Sequence, residues 1–122
     1  MSKRILVVDD QPDNRQIIRD LLAAATDYEL TEAENGEQAL AAVAKQRPDL
    51  ILMDIQLPIM DGYEATRRIK ADPAMRSIPI IAVTSYAFSG EEQKARAAGC
   101  DGYVTKPYSP RLLLARIREF LP

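Results

Sequence analysis

Residues 49–62 have the sequence Asp-Leu-Ile-Leu-Met-Asp-Ile-Gln-Leu-Pro-Ile-Met-Asp-Gly, which indicates both a secondary-structure pattern and a possible site. The run from Leu50 to Met53 is apolar throughout, which is typical of a strand covered on both faces. Asp54 follows the run directly. Asp61 and Glu64 then have the Asp-x-x-Glu spacing of a helix capping box. The stretch therefore predicts a buried strand, a loop that begins with an acid, and a helix.

The same strand-then-helix pattern recurs along the whole chain of 122 residues, at about 24 residues for each unit. Strands are predicted at 4–8, 28–33, 50–53, 80–83 and 103–105. Helices are predicted between 14 and 25, 35 and 45, 61 and 71, 89 and 99, and 109 and 121. This alternation predicts an α/β fold, a doubly wound and mostly parallel five-stranded sheet with helices on both faces.

Start signals and apolar stripes support these helices. Asn35 and Ser109 are predicted N-caps, and Ser89 with Glu92 forms a second capping-box match. The first helix has an apolar stripe made of Ile17, Ile18, Leu21 and Leu22, and the last has one made of Leu113, Ile117 and Leu121.

Length and composition favour one domain over residues 1–122 and exclude several functions. A net charge of −2 leaves no basic field for nucleic acid. Without a membrane-length apolar stretch or a signal peptide, we expect a cytoplasmic protein with no membrane insertion. The chain has no histidine and a single cysteine, Cys100, which excludes an internal disulfide and Ser-His or Cys-His catalysis. Carboxylates, hydroxyls, lysine and backbone groups remain for any chemistry.

Charged and polar residues follow the predicted strands at the ends where they meet. They are Asp9, Asp10, Asp54, Thr84 and Lys106. In an open parallel sheet the carboxyl ends of the strands share one edge, which is where ligands bind. Three carboxylates repel each other and Lys106 offsets one charge, so a divalent cation would balance the rest. Oxygen ligands select Mg²⁺, Ca²⁺ or Mn²⁺, and a site with room for a phosphoryl group suits Mg²⁺.

A carboxylate beside Mg²⁺ can accept a phosphoryl group and form an aspartyl phosphate. We expect Asp54 to be the acceptor because it alone ends the central strand, whereas Asp9 and Asp10 form a pair suited to the metal. Charge on the transferring group is spread over three oxygens. Mg²⁺, Lys106, and the Thr84 hydroxyl with nearby backbone N–H groups could each hold one of them.

Four segments in order give the chain its resemblance to a known family. They are residues 5–10, 49–62, 81–85 and 102–107. With them the chain resembles, over essentially its whole length, the receiver domains of two-component response regulators, the family that contains the chemotaxis response regulator. The resemblance implies the flavodoxin-like strand order 2-1-3-4-5. It also implies a signalling protein that catalyses only its own phosphorylation and dephosphorylation, rather than an enzyme.

The resemblance further implies a role for each site residue. Asp54 would be phosphorylated by a histidine kinase or a histidine phosphotransfer protein. Mg²⁺ would be bound by Asp10, Asp54 and the backbone carbonyl of Gln56, and by Asp9 through water. Thr84 and Lys106 would bind phosphoryl oxygens, and Lys106-Pro107 would be a cis peptide.

It also implies how the signal leaves the site. The rotamer of Tyr103 would follow Thr84, and the fourth helix, fifth strand and fifth helix would bind a downstream protein. We expect a monomer or weak dimer. Because the chain stops at Pro122 soon after the fifth helix, we expect no output domain, and the signal would leave by protein–protein contact. Gln56 and Tyr86 would border the path of the hydrolytic water, and a bulky Tyr86 would lengthen the phosphoryl lifetime.

Three alternative functions make different demands on the sequence. A haloacid-dehalogenase-like phosphatase would need an Asp-x-Asp motif after the first strand, but Asp9 and Asp10 are adjacent. A flavin or dinucleotide domain would need a glycine-rich loop there, which this chain lacks. A receiver-like module that is never phosphorylated stays possible on the residues alone, because they cannot show that a kinase exists.

Overall fold

Strands and helices alternate throughout the computed structural model, which describes residues 3–24, 27–85 and 90–121. The strands are β1 (Lys3–Val8), β2 (Tyr28–Ala33), β3 (Leu50–Asp54), β4 (Ile80–Thr84) and β5 (Gly102–Thr105). The helices are α1 (Pro12–Ala23), α2 (Gly36–Lys45), α3 (Gly62–Ala71), α4 (Glu91–Ala98) and α5 (Pro110–Phe120). The predicted order of elements is confirmed, and the predicted strand bounds hold to within one residue.

The strands form one parallel sheet in the order β2-β1-β3-β4-β5. The predicted doubly wound α/β fold is therefore confirmed. Val8 lies opposite Met53, and Asp54 lies opposite Val83. This register brings the ends of β1, β3 and β4 to the same level of the sheet. The acids that follow β1 therefore lie beside the acid that ends β3.

Side chains of the central strands alternate between two apolar clusters, one on each face of the sheet. Ile51 and Met53 pack with residues of α2, α3 and α4, whereas Leu50 and Leu52 pack with residues of α1 and α5. Every residue of β3 and β4 is buried. β2 is an edge strand and is mostly exposed, as its alternating sequence predicts. The residues at the ends of the central strands are therefore attached to a fully buried part of the sheet.

Three predicted helix caps are confirmed by side-chain hydrogen bonds. The Asn35 side chain accepts from the backbone N–H of Gln38, and Asp61 accepts from that of Glu64. Ser109 accepts from the backbone N–H of Leu112. Each bond satisfies one of the N–H groups that a helix start leaves without an intrahelical partner.

Two helix starts differ from prediction. α1 begins at Pro12 after Gln11, two residues before the predicted start, because proline needs no N–H partner in a first turn. The N-cap of α4 is Gly90 with φ 93°, so the capping box predicted from Ser89 does not supply it. Ser89 itself lies outside the described residues.

The predicted apolar stripe of α1 is too wide. Ile18 and Leu22 are buried and Leu21 is half-buried, but Ile17 is 52% exposed. Successive residues of a helix are about 100° apart. When Ile18 and Leu22 face the sheet, Ile17 therefore lies on the side of the helix. The predicted stripe of α5 is confirmed, since Leu113 and Ile117 are fully buried. In the part of the chain that the structure describes, no helix has the length and apolarity that crossing a membrane requires.

Candidate functional site

Asp9 follows β1 and is held in place by several hydrogen bonds. Its backbone N–H donates to the Ala33 carbonyl at 3.0 Å. Its carboxylate accepts from the backbone N–H of Gln11 at 2.9 Å and from Lys106 Nζ at 3.2 Å. Only 3% of the residue is exposed. The side chain is therefore fixed at the edge of the sheet, with both oxygens already bound.

Asp54 ends β3 beside it and is equally buried. One carboxylate oxygen accepts from the backbone N–H of Gln56 at 3.0 Å, and the other accepts from Lys106 Nζ at 3.1 Å. The Lys106 ammonium therefore bridges Asp54 and Asp9, which are 45 residues apart in the chain but adjacent in space.

Asp10 completes a cluster of three carboxylates. Ligand oxygens of Asp9, Asp10 and Asp54 all lie within 4.8 Å of one another, an arrangement that can hold a metal ion. Asp10 is half-buried while the other two are buried. Opposite ligands of Mg²⁺ lie about 4 Å apart, so the group needs little movement to coordinate a small divalent cation. The sequence predicted this convergence from the strand ends alone.

Thr84 and Lys106 lie at the ends of the next two strands. Thr84 is fully buried, and its carbonyl accepts from the backbone N–H of Lys106 at 2.7 Å. Lys106-Pro107 is a cis peptide, as the resemblance implied. Tyr103 is half-buried against the apolar cluster on the α2, α3 and α4 face. Burial, followed by the charges of Glu91 and Glu92, raises the pKa of its hydroxyl.

Gly62 brings the start of α3 against the strand that bears Asp54. A Cβ atom on Gly62 would lie 2.3 Å from the Asp54 carbonyl oxygen and 2.8 Å from Ile55 Cα. The Gly62 N–H donates to the Ile55 carbonyl at 3.0 Å. Only glycine permits this approach, since no real Cβ atom comes so near to backbone atoms.

Two features of the site were not predicted from the sequence. The Gln56 side chain accepts from Ser85 Oγ at 2.7 Å, which links the loops after β3 and β4. A cavity of about 300 Å³ opens beside Lys106 and is lined by Asn14, Ile17, Ser85, Lys106, Pro107 and Tyr108. Contacts between side chains of different loops follow no spacing rule, so the sequence carries no signal for this hydrogen bond or for this cavity. Tyr86, expected beside the path of the hydrolytic water, lies outside the described residues.

The charged groups of the site shift each other's pKa values. Burial raises the pKa of Asp54, and it outweighs the lowering effect of the Gln56 N–H and of Lys106. Burial alone would lower the pKa of Lys106, but the charges of Asp54 and Asp9 raise it instead. Lys106 therefore stays protonated at neutral pH, while the ionised form of Asp54 is disfavoured by its surroundings.

We expect Asp54→Asn to stabilise the metal-free protein at neutral pH. The pKa of Asp54 is higher in the folded protein than in the unfolded chain, so its contribution to stability is complete below the unfolded-state pKa. That contribution is lost as the pH rises through the folded-state pKa. The melting temperature of the variant in EDTA should therefore exceed that of the wild type by a few degrees at pH 7. About 1 kcal/mol corresponds to roughly 3–5 °C in a domain of this size. The difference should shrink towards pH 4, and a constant or inverted difference would contradict the prediction.

The fold and the acidic site define a class of phosphorylation-dependent signalling domains, and a comparison with known families agrees. The family model described as "Response regulator receiver domain" matches residues 5–118. The chain belongs to this family, so its likeness to the receivers of two-component systems is confirmed. Members of the family are signalling proteins, and the chain is a receiver domain by sequence, fold and acidic cluster.

Individual relatives cover nearly the whole chain. The polar-differentiation response regulator DivK of Brucella anthropi is 42% identical over 121 residues, which are 99% of this chain and 98% of that protein. The receiver domain of sensor histidine kinase PA1611 from Pseudomonas aeruginosa PAO1 is 36% identical, with a TM-score of 0.90 over 99% of this chain and 98% of that one. That structure has a magnesium ion coordinated in its active-site cleft. Chemotaxis protein CheY4 of Vibrio cholerae is 30% identical, with a TM-score of 0.91 over 98% of this chain and 99% of that one.

Proposed function

We propose that this receiver domain, acting as a single domain over residues 1–122, accepts a phosphoryl group on Asp54. The observation that carries the proposal is the meeting of three carboxylates within 4.8 Å, with Lys106 Nζ 3.1 Å from the proposed acceptor. The donor would be the phosphohistidine of a histidine kinase or phosphotransfer protein. In the reaction an Asp54 carboxylate oxygen attacks phosphorus, and the bond between phosphorus and the histidine nitrogen breaks.

The residues present fit a magnesium ion. Carboxylate oxygens are the ligands that Mg²⁺ prefers, and it commonly takes one or two carboxylates together with a phosphoryl oxygen. Asp10, Asp54 and the backbone carbonyl of Gln56 would hold it, with Asp9 acting through water. Bound there, it supplies positive charge that neutralises the acids and the transferring phosphoryl group.

The chain's own residues would position the phosphoryl group. Lys106 already contacts one carboxylate oxygen of Asp54, so its ammonium group is placed to bind a phosphoryl oxygen once the phosphoryl group is attached. Thr84 ends the neighbouring strand and would bind another. Because the transition state is loose and highly charged, such fixed partners supply most of the catalysis.

The change at Asp54 would then reach the surface through Thr84 and Tyr103. Thr84 would be drawn to the phosphoryl group, and Tyr103, half-buried beside α4, would follow it. The surface of α4, β5 and α5 would bind the downstream protein. We place this exchange in the cytoplasm, with the domain as a monomer or weak dimer.

The exposed Ile17 offers a test of donor docking. It is 52% exposed and lines the cavity beside Lys106, so a donor protein that reaches Asp54 would cover it. Ile17→Ala should slow phosphotransfer from a histidine phosphotransfer protein by about tenfold, the effect of losing roughly 1.4 kcal/mol of contact. Labelling by acetyl phosphate, which needs no docking surface, should be unchanged. Leu112→Ala is the matched control, because Leu112 is also exposed but lies outside the cavity. Equal transfer rates in both variants would contradict the prediction.

Incubation with acetyl phosphate tests the proposed function directly. In the presence of Mg²⁺, intact mass spectrometry should show one added phosphoryl group, and EDTA should greatly reduce it. Failure to label with any small donor or partner kinase would favour a receiver-like module that is never phosphorylated. Turnover of a generic phosphate ester would favour a phosphatase instead.

A further inference from the structure

Arg15 of α1 makes a contact with the acidic site that the proposed chemistry does not use. Its Nη1 donates to the backbone carbonyl of Asp9 at 2.8 Å. Its Nε donates to Glu32 on the edge strand β2 at 3.0 Å, and its Nη2 lies 3.5 Å from Glu34. Only 11% of the Arg15 side chain is exposed. A nearly buried guanidinium therefore links the edge strand to the loop that carries the acidic pair.

The Asp9 carbonyl belongs to the peptide group that joins Asp9 to Asp10. A peptide group is planar, so a bond to that carbonyl fixes the direction in which the backbone enters Asp10. Every other polar group of Asp9 already has a partner: the Ala33 carbonyl, the Gln11 N–H and Lys106. With the Arg15 bond, every polar group of Asp9 has a partner, and the orientation of the peptide group that leads into Asp10 is fixed.

We propose that Arg15 is a positioning residue for the divalent-cation site, holding the Asp9–Asp10 peptide so that the Asp10 carboxylate faces the other two acids. This inference rests on the proposed magnesium site. Glu32 and Glu34 pair with the guanidinium on its far side and offset the positive charge that would otherwise repel a cation. The contribution of Arg15 is therefore geometric rather than electrostatic.

The two possible effects of Arg15 on a cation have opposite signs, which makes the inference testable. Removing a positive charge near the site would, by Coulomb's law alone, strengthen Mg²⁺ binding. Removing a group that orients a ligand should weaken binding, and substitutions of such outer partners commonly cost 10–100-fold in metal affinity. We expect Arg15→Gln to weaken Mg²⁺ binding by about tenfold. Arg15→Lys keeps the charge but lacks the planar fork that directs separate N–H groups to Asp9 and Glu32, so it should weaken binding as well.

Arg19→Gln is the matched control. Arg19 lies one turn further along α1 and also donates to Glu32, through Nε at 3.0 Å and Nη2 at 2.9 Å. Among the described residues its side chain donates to Glu32 and Gln16, so the substitution removes the same charge and an ion pair to the same glutamate without touching the acidic loop. Its Mg²⁺ affinity should stay within about twofold of that of the wild type.

The measurement is a Mg²⁺ titration of ¹⁵N-labelled, unphosphorylated protein. Binding is monitored through the amide chemical shifts of Asp10 and Gln56. Circular dichroism melting in EDTA shows that each variant is folded at the titration temperature. Labelling by acetyl phosphate should need more Mg²⁺ in both Arg15 variants but recover at saturating Mg²⁺. Wild-type affinity in Arg15→Lys, or tighter binding in Arg15→Gln, would overturn the inference while leaving the proposed function intact. An absence of Mg²⁺ binding in the wild type would overturn both.

Discussion

Asp54→Asn should abolish phosphorylation of the chain by acetyl phosphate. Asparagine keeps the size of the side chain and can still accept from the Gln56 N–H, but its amide lacks the charged oxygen that attacks phosphorus. Asp54 is also the only one of the three acids that ends a strand of the described sheet, and Lys106 already contacts it. Intact mass spectrometry should show the unmodified mass alone after an incubation that fully labels the wild type, a loss of at least 100-fold.

Asp61→Asn provides a control on the same loop. Asp61 is exposed and caps α3 by accepting from the Glu64 N–H, a role that asparagine fills equally well. This variant should be labelled at the wild-type rate. Persistent labelling of Asp54→Asn would mean that another carboxylate is the acceptor, and peptide mapping of the phosphorylated protein would identify it.

Gly62→Ala should be strongly destabilising. The new Cβ atom would lie 2.3 Å from the Asp54 carbonyl oxygen and 2.8 Å from Ile55 Cα, so either α3 or the end of β3 must move. Both clashing atoms belong to the backbone and cannot turn away as a flexible side chain could. Forcing extra volume into such a packed position costs on the order of 3 kcal/mol, which would lower the melting temperature by roughly 10 °C.

The substitution should also reduce labelling at Asp54, because the clash falls on the residue that bears the acceptor. Gly90→Ala is the comparison variant. A Cβ atom on Gly90 would meet open space, and only its φ of 93° disfavours alanine, at a cost of about 1 kcal/mol. Gly90→Ala should therefore melt within a few degrees of the wild type and be labelled normally. Equal melting temperatures for the two alanine variants would show that α3 shifts without cost.

The fold and the acidic core of the site could be predicted from the sequence because each depends on a local signal. Apolar runs mark buried strands, and the residue after each run must lie at the shared edge of a parallel sheet. Asp54 and Lys106 could be assigned to one site in this way although 52 residues separate them.

What the sequence did not show depends on side chains that meet across elements. The Arg15 bond to the Asp9 carbonyl and the Gln56 bond to Ser85 obey no spacing rule. The exposure of Ile17 depends on how α1 is rotated about its own axis. The four apolar residues of its predicted stripe are compatible with more than one rotation. The clash at Gly62 depends on how closely α3 approaches β3, a distance set by the packing of the whole layer.

Because Lys106 bridges Asp9 and Asp54, we expect the stability of the fold to depend less on Mg²⁺ than the proposed phosphorylation does. The Lys106 ammonium lies between two of the acids and offsets part of their repulsion, so we expect the fold to persist when no metal ion is bound. If phosphorylation needs Mg²⁺ as proposed, a cell short of magnesium would keep the folded protein while its response to a kinase is lost. Replenishing the ion would restore the response at once, without new synthesis or refolding.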